Sequence, residues 1–445
     1  MGAQLTGKPD LGATAVYRRL ARNSAFLGAG TIASALFMML AVVLNARALS
    51  PREFGLLVLF QSATVMIATV MSFATQQPVI KLGATALAEG DLPRLGRIVG
   101  LGLLIDAFAA VTATIAAFVF LAAGRGLIGL PDEQLGLAAL FAASLLFTGY
   151  LTSNGIFRLL DRFGLLSLIQ TASAAAILFA TAYLYASGAR FEAYCWAWAI
   201  FYALNGLLPL VIGLYLARRA GIPIAFSTSR MRPGEMSTFL AYCWTTWGMA
   251  TVEAVRTNGD SLLVGAAVSV EGAGIYNVAK QLAGVLRKMN TVYASAMFPE
   301  VSALSAHGEV DSAVRVRRRL LWISGLIGVA AVAAVALLGR LVLMVLFGER
   351  FEAAYLPLII LTAAAACQLI SHTLSMYVQV YVGPHQLFRV YLLGMAVFLV
   401  AVFPLTSLLS ITGTALANLL FALAMIYLCH WQLRKIDLAG KAKPA

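Results

Sequence analysis

Glu253, Arg256 and Asp260 stand three and then four residues apart inside an otherwise apolar run, and Lys280, Gly284, Arg287 and Thr291 repeat helical spacing in the next one. On α-helices each set gathers on one face, the first within about 60°. Lys288 lies roughly 80° to the side of the second stripe, and Tyr276 extends that stripe by one turn. Bases set among acids in this way suit the binding of an anionic group, or the exchange of a proton or sodium ion, within a membrane.

A basic side chain at the centre of a bilayer costs about 2.5 to 3.5 kcal/mol on insertion scales, so such residues face a bundle interior or a wet cavity. Arg256, Lys280, Arg287 and Lys288 are therefore expected to line a polar cavity in which an anionic group crosses the membrane. The competing expectation is that Glu253 and Asp260 pair with these bases and lock two helices together. Three or four bases against two acids leave positive charge over. Asp106 lies deep in another apolar run; an unpaired carboxylate there must find a partner or a proton. With Glu253 and Asp260 it completes the candidates for coupling to an ion gradient.

Composition decides what kind of protein holds these charges. The chain is 61% hydrophobic and 11% charged, against about 45 to 50% and 25% in soluble domains, which makes it a polytopic membrane protein. A formal charge of +13 would suit nucleic acid, but the bases are spread over short loops between apolar runs, and a charge-inside bias explains them better. No nucleic-acid partner is expected. Cys195, Cys243, Cys367 and Cys429 show no CxxC spacing, and His307, His372, His385 and His430 are scattered. Neither a metal site nor a cofactor is expected, and no GxxxxGK[ST] phosphate loop is present.

The elements that must position the charges are twelve apolar runs, at 24–46, 54–77, 98–123, 134–157, 163–186, 193–217, 237–268, 272–298, 320–338, 353–382, 388–409 and 412–431. The first is longer than a secretory h-region and is retained as a spanning helix. Pro78 is expected to end or kink the second helix, and 81–97 to be a polar connection. Trp196, Trp198 and Tyr202 suit either an interface belt or core packing. A basic, proline-containing stretch at 218–236 divides the chain into an N-terminal lobe (1–217) and a C-terminal lobe (237–445), and is expected to be a flexible linker. Lys and Arg number 22 on the side of both termini against 6 on the other, which places both ends in the cytoplasm.

An internal repeat supports the two lobes. Leu49-Ser50-Pro51-Arg52-Glu53-Phe54-Gly55 has a counterpart, 219 residues on, in Val268-Ser269-Val270-Glu271-Gly272-Ala273-Gly274. Six helices separate the copies, so the lobes share one orientation. The expected fold is all-α, with two six-helix lobes related about an axis along the membrane normal, a cavity between them, and alternating access by rocking.

Ala46-Arg47-Ala48-Leu49-Ser50-Pro51-Arg52-Glu53-Phe54-Gly55, then Asp260-Ser261-Leu262-Leu263-Val264-Gly265, Gly274-Ile275-Tyr276-Asn277-Val278-Ala279 and Phe298-Pro299 resemble the polysaccharide transporter branch, the Wzx-type oligosaccharide flippases, of the multidrug/oligosaccharidyl-lipid/polysaccharide exporter (MOP) superfamily. The resemblance implies a bacterial inner-membrane flippase. Its substrate would be a polyprenyl-diphosphate-linked oligosaccharide, moved toward the periplasmic leaflet for surface or exopolysaccharide assembly, with a polysaccharide polymerase and export machinery as potential partners. It also implies a cationic cavity, for which Arg256, Lys280, Arg287 and Lys288 are suited and which Arg47 would join. The physics agrees, since a diphosphate and sugars need a wet, positive interior while membrane lipids hold the tail.

Three other classes compete. An ion-coupled multidrug exporter of the same superfamily would favour an acidic cavity, whereas bases outnumber acids here. A lipid-linked peptidoglycan-precursor flippase would have fourteen helices rather than twelve. An enzyme such as a polymerase or glycosyltransferase would carry its chemistry on sizeable outer loops, and no outer loop here exceeds about a dozen residues.

Overall fold

The computed structural model describes residues 13–124, 132–226, 234–287 and 310–441 of the 445-residue chain. Among them are helices only, with no strand. Their outer surface carries large apolar side chains, including Leu337, Leu408 and Val400 at 81%, 78% and 77% exposure, which only a hydrocarbon surround tolerates in such number. Nine described segments are long and apolar enough to cross a membrane. The architecture is that of a multi-pass membrane protein.

Helix α1 (Ala13–Ala48) packs mainly on α7 (Phe163–Ala186). Between them in sequence come α2 (Pro51–Met71), α3 (Gln76–Ala88), α4 (Leu92–Gly124), α5 (Leu135–Ser144) and α6 (Leu151–Leu159), followed after α7 by α8 (Phe191–Arg219). The second half holds α9 (Glu235–Ala267), α10 (270–287), α11 (Val310–Phe347), α12 (Tyr355–Tyr381) and α13 (Pro384–Lys441). Three or more acidic or basic residues keep 250–267 and 270–287 out of the nine apolar segments. Helix α13 breaks at Ser410 (φ 54°, ψ −137°) into two antiparallel arms. Thr406 and Thr414 meet across the break at 2.8 Å, and a Cβ on Gly413 would stand 1.8 Å from the Leu405 carbonyl oxygen, so glycine lets the chain fold back. With these three allowances the fold is consistent with the twelve helices expected.

Local chemistry explains the helix starts. Ser50 caps α2: its hydroxyl oxygen accepts from the Glu53 amide, the Glu53 carboxylate accepts from the Ser50 amide at 2.9 Å, and Pro51 takes the first helical position. In the repeat, Ser269 Oγ accepts from the Gly272 amide at 2.9 Å. The two copies then meet in space. A Cβ on Gly55 would lie 2.0 Å from the Val270 carbonyl oxygen, and one on Gly274 would lie 3.0 Å from the Phe54 ring.

Several expectations are corrected. Pro78 does not end a helix; α2 stops at Met71, and Pro78 lies in the first turn of α3, where a missing N–H costs nothing. The 81–97 connection is mostly helical, because α3 runs to Ala88 and α4 starts at Leu92. The fourth apolar run is not one helix. It is interrupted at Thr148 to Tyr150, where Thr148 is extended and Gly149 has φ 84°. Part of the linker is fixed rather than flexible: Ala225 donates its amide to the Gly96 carbonyl at 3.3 Å, and Cβ atoms on Gly96 and Gly100 would meet the Pro223 and Ala225 carbonyl oxygens at 1.9 and 2.1 Å. Trp196 is exposed and Trp198 is buried, so the belt and the core each claim one ring.

Candidate functional site

Helix α9 carries Arg256 and Asp260 one turn apart, and both are buried, at 1% and 2% exposure. Asp260 Oδ1 accepts from Lys280 Nζ at 2.9 Å, and its Oδ2 accepts from the Tyr276 hydroxyl at 2.9 Å. Lys280 also donates to Ser261 Oγ at 2.7 Å and to the Thr257 carbonyl. All three ammonium protons of Lys280 therefore have acceptors, which a buried ammonium requires. Helices α9 and α10 are joined through this one carboxylate.

Arg256 is held from three sides. Its Nε donates to Glu253 Oε2 at 3.1 Å, its Nη2 pairs with Glu253 Oε1, and its Nη1 donates to Asn418 Oδ1 at 2.5 Å. Gln368 turns its amide oxygen to the guanidinium at 3.2 and 3.3 Å, and the Phe421 ring lies 4.7 Å below it. Asn418 Nδ2 in turn donates to the Tyr276 hydroxyl oxygen at 3.1 Å and the Thr414 carbonyl at 3.2 Å. The network thus ties α9 and α10 to α12 and the second arm of α13.

Arg287 stands differently. Its Nη2 approaches the Lys280 carbonyl at 3.4 Å, and among the described residues no acid lies within ion-pair distance. With Arg256, Asp260, Lys280, Gln368 and Asn418 it borders a narrow cavity of about 10 Å³. Among the described residues of the network, two acids, Glu253 and Asp260, against three bases leave one positive charge over. Glu253 reaches out of the network, with its side chain 45% exposed, while the Asp260 side chain is 3% exposed.

The remaining sequence candidates lie apart from this cluster. Arg47, at the end of α1, donates Nε–H to the Leu346 carbonyl at 2.8 Å and another proton to the Val345 carbonyl. It thereby caps the end of α11, where free carbonyls favour a cation. Asp106, in α4, accepts from the Thr75 hydroxyl at 2.6 Å and from the Thr152 amide at 2.8 Å. Thr152 is the second residue of α6, so the carboxylate satisfies a donor exposed by the break in the fourth run. Lys288 and Thr291 lie outside the described residues. Among the described residues no group of three His, Cys, Asp or Glu could hold a metal ion.

Sequence reasoning missed Asn418 and Gln368. Each is an amide in an apolar run, Asn418 alone in its own and Gln368 sharing one with Gln379, the same signal that exposed the charges, though carried by a neutral side chain.

This arrangement is a buried charged network inside the helical bundle of a multi-pass membrane protein. Its fold is shared with an inward-facing MATE family multidrug transporter of the MOP superfamily (TM-score 0.73, 16% identity, covering 92% of this chain and 96% of that one). The lipid II flippase MurJ in an inward closed conformation has it as well (TM-score 0.69, 13% identity, 92% and 87%). Residues 20–305 match the family described as polysaccharide biosynthesis protein, and the chain belongs to that family. It is also similar to the inner membrane protein YghQ of Escherichia coli strain K12, at 24% identity over 355 residues, 77% of this chain and 96% of the relative.

Proposed function

We infer that this protein is a flippase that carries a polyprenyl-diphosphate-linked oligosaccharide across the bacterial inner membrane by alternating access, with both termini in the cytoplasm and a lobe boundary at 218–236. The observation that carries this reading is the surplus of positive charge, among the described residues, at half-buried Arg287, beside the paired Lys280 and Arg256. A diphosphate entering there would neutralise Arg287 and compete with Asp260 and Glu253 for the other two bases. Charge-assisted bonds to phosphate are strong and bidentate at arginine. The cavity of about 10 Å³ is far smaller than ordinary ligand sites of roughly 300 to 1,000 Å³, so entry requires the helices to part. The family's role in polysaccharide biosynthesis and the fold shared with MurJ support the same reading. Arg47, engaged with α11 carbonyls, would reach substrate only when that contact opens, and Lys288 would add a fourth base.

If an ion gradient drives the cycle, Glu253 is the carboxylate with access to it, because Asp260 is enclosed and Asp106 is saturated by its two threonines.

Two measurements test the reading. Depleting the protein should leave undecaprenyl-linked oligosaccharide accumulating on the cytoplasmic leaflet, and an unchanged distribution would overturn the assignment. Arg287→Gln should abolish export while the protein remains at normal abundance. Loss of abundance instead would mean that Arg287 only holds helices together.

A further inference from the structure

The break in the fourth apolar run does more than expose an amide for Asp106. Irregular backbone at membrane depth persists only where protein buries it or where it lines a wet cavity, and interrupted helices in transporters mark binding sites. Here the break opens on a cavity of about 240 Å³ between α2, residues 148–149 and α8, well separated in sequence from the charged network. Its polar lining is Thr64, Thr69, Thr148, Tyr202 and Asn205, and none of its lining residues is charged.

The hydroxyls are oriented by their own helices. Thr64 donates to the Phe60 carbonyl at 2.8 Å, Thr69 to the Val65 carbonyl at 2.8 Å, and Thr148 to the Leu145 carbonyl at 3.0 Å. Each has spent its only proton and offers the cavity oxygen lone pairs alone. Such a surface welcomes O–H donors and repels phosphate or carboxylate, while the lack of an acid disfavours a metal ion. Asn205 adds both a donor and an acceptor, and Tyr202 adds an aromatic ring. Asn205 is exposed and lies about 60° around α8 from Leu208, at the edge of the exposed apolar stripe of Trp196, Ile200, Leu204 and Leu208. Gly206 keeps the walls together, because a Cβ there would stand 1.9 Å from the Phe147 carbonyl oxygen.

We propose that this cavity binds an uncharged polyhydroxyl group, the sugar portion of the substrate, as a second subsite distinct from the base cluster of α9 and α10. The proposal rests on the flippase reading above and adds a division of labour to it: charge in the second half holds the diphosphate, and neutral acceptors in the first half hold sugar.

The test uses the full chain in lipid nanodiscs and two probes, undecaprenyl diphosphate and undecaprenyl-diphosphate-linked oligosaccharide extracted from the protein's own host. Native mass spectrometry reads the affinity for each. The wild-type protein should bind both, the glycosylated probe about tenfold more tightly, on the order of one or two net hydrogen bonds. Asn205→Leu and Thr69→Val should abolish that preference while leaving undecaprenyl diphosphate binding and the thermal midpoint unchanged. Variants that keep the preference, or that weaken both probes alike, would overturn the sugar subsite and leave the flippase reading standing. A wild-type protein that binds neither probe would remove both.

Discussion

At the scale of single residues, Asp260 is the centre of the charged network, since it accepts directly from Lys280, Tyr276 and Asn418, and Asn418 also reaches Tyr276 and Arg256. Removing one partner of a buried pair leaves the other charged and unpaired, at a cost of roughly 3 to 5 kcal/mol. Asp260→Asn should therefore lower stability by about that amount, measured by thermal unfolding in detergent. Combining it with Lys280→Met should recover part of the loss, because the stranded ammonium is gone. Full additivity of the two losses would show that the pair is not coupled. Helical spacing was enough to gather Glu253, Arg256 and Asp260 on one face and Lys280 and Arg287 on another. It could not say which base each acid would take, because pairing depends on how two helices are rotated about their axes. Nor could it separate Arg287, which has no acid within ion-pair distance among the described residues, from Lys280, whose charge is met.

At the scale of elements, the apolar runs at 163–186, 353–382 and 388–409 foretold α7, α12 and the first arm of α13 to within a few residues, since hydrophobic length alone sets a spanning helix. The fourth run reads as equally continuous, yet its helix is broken at Gly149. Nothing in the hydropathy of 134–157 marks the break; what stabilises it is Asp106, 46 residues from Thr152. Asp106→Ala should then cost about 1 to 2 kcal/mol of stability through the lost cap and its threonine bond, seen as a lower thermal midpoint. A variant that keeps full stability but loses transport would instead make Asp106 part of the coupling machinery.

At the scale of the whole molecule, α2 and α9 hold the two halves together along their length, from Trp247 on the Val70 carbonyl to Gly265 on Leu59, and contacts continue to the end where Gly55 and Gly274 lie. Gly55 lies against Val270, Phe54 and Phe351 stack edge to face at 5.7 Å, and Arg47 holds the end of α11. The opposite end is also tied, with buried Arg94 bonded to Glu235 at 2.8 Å and to Glu89 at 2.7 Å. Alternating access would open these two sets in turn. Gly55→Val places side-chain atoms where the Val270 carbonyl now stands, so it should shift the population toward a state separated at that end. Spin labels on exposed Arg52 and Glu271 should report longer distances in the variant than in wild type; an unchanged distribution would show that the contact does not gate the halves.

The sequence by itself determined that this is a membrane-embedded helical bundle and that charge is concentrated in two adjacent helices. Each of these follows from local composition and spacing, which the bilayer reads helix by helix. Only the tertiary structure decided that Asn418 and Gln368 complete the network, that Asp106 caps α6, and that a neutral cavity opens beside the broken helix. Those outcomes join residues far apart in the chain, and their register is fixed by side-chain packing between helices, which no single segment encodes.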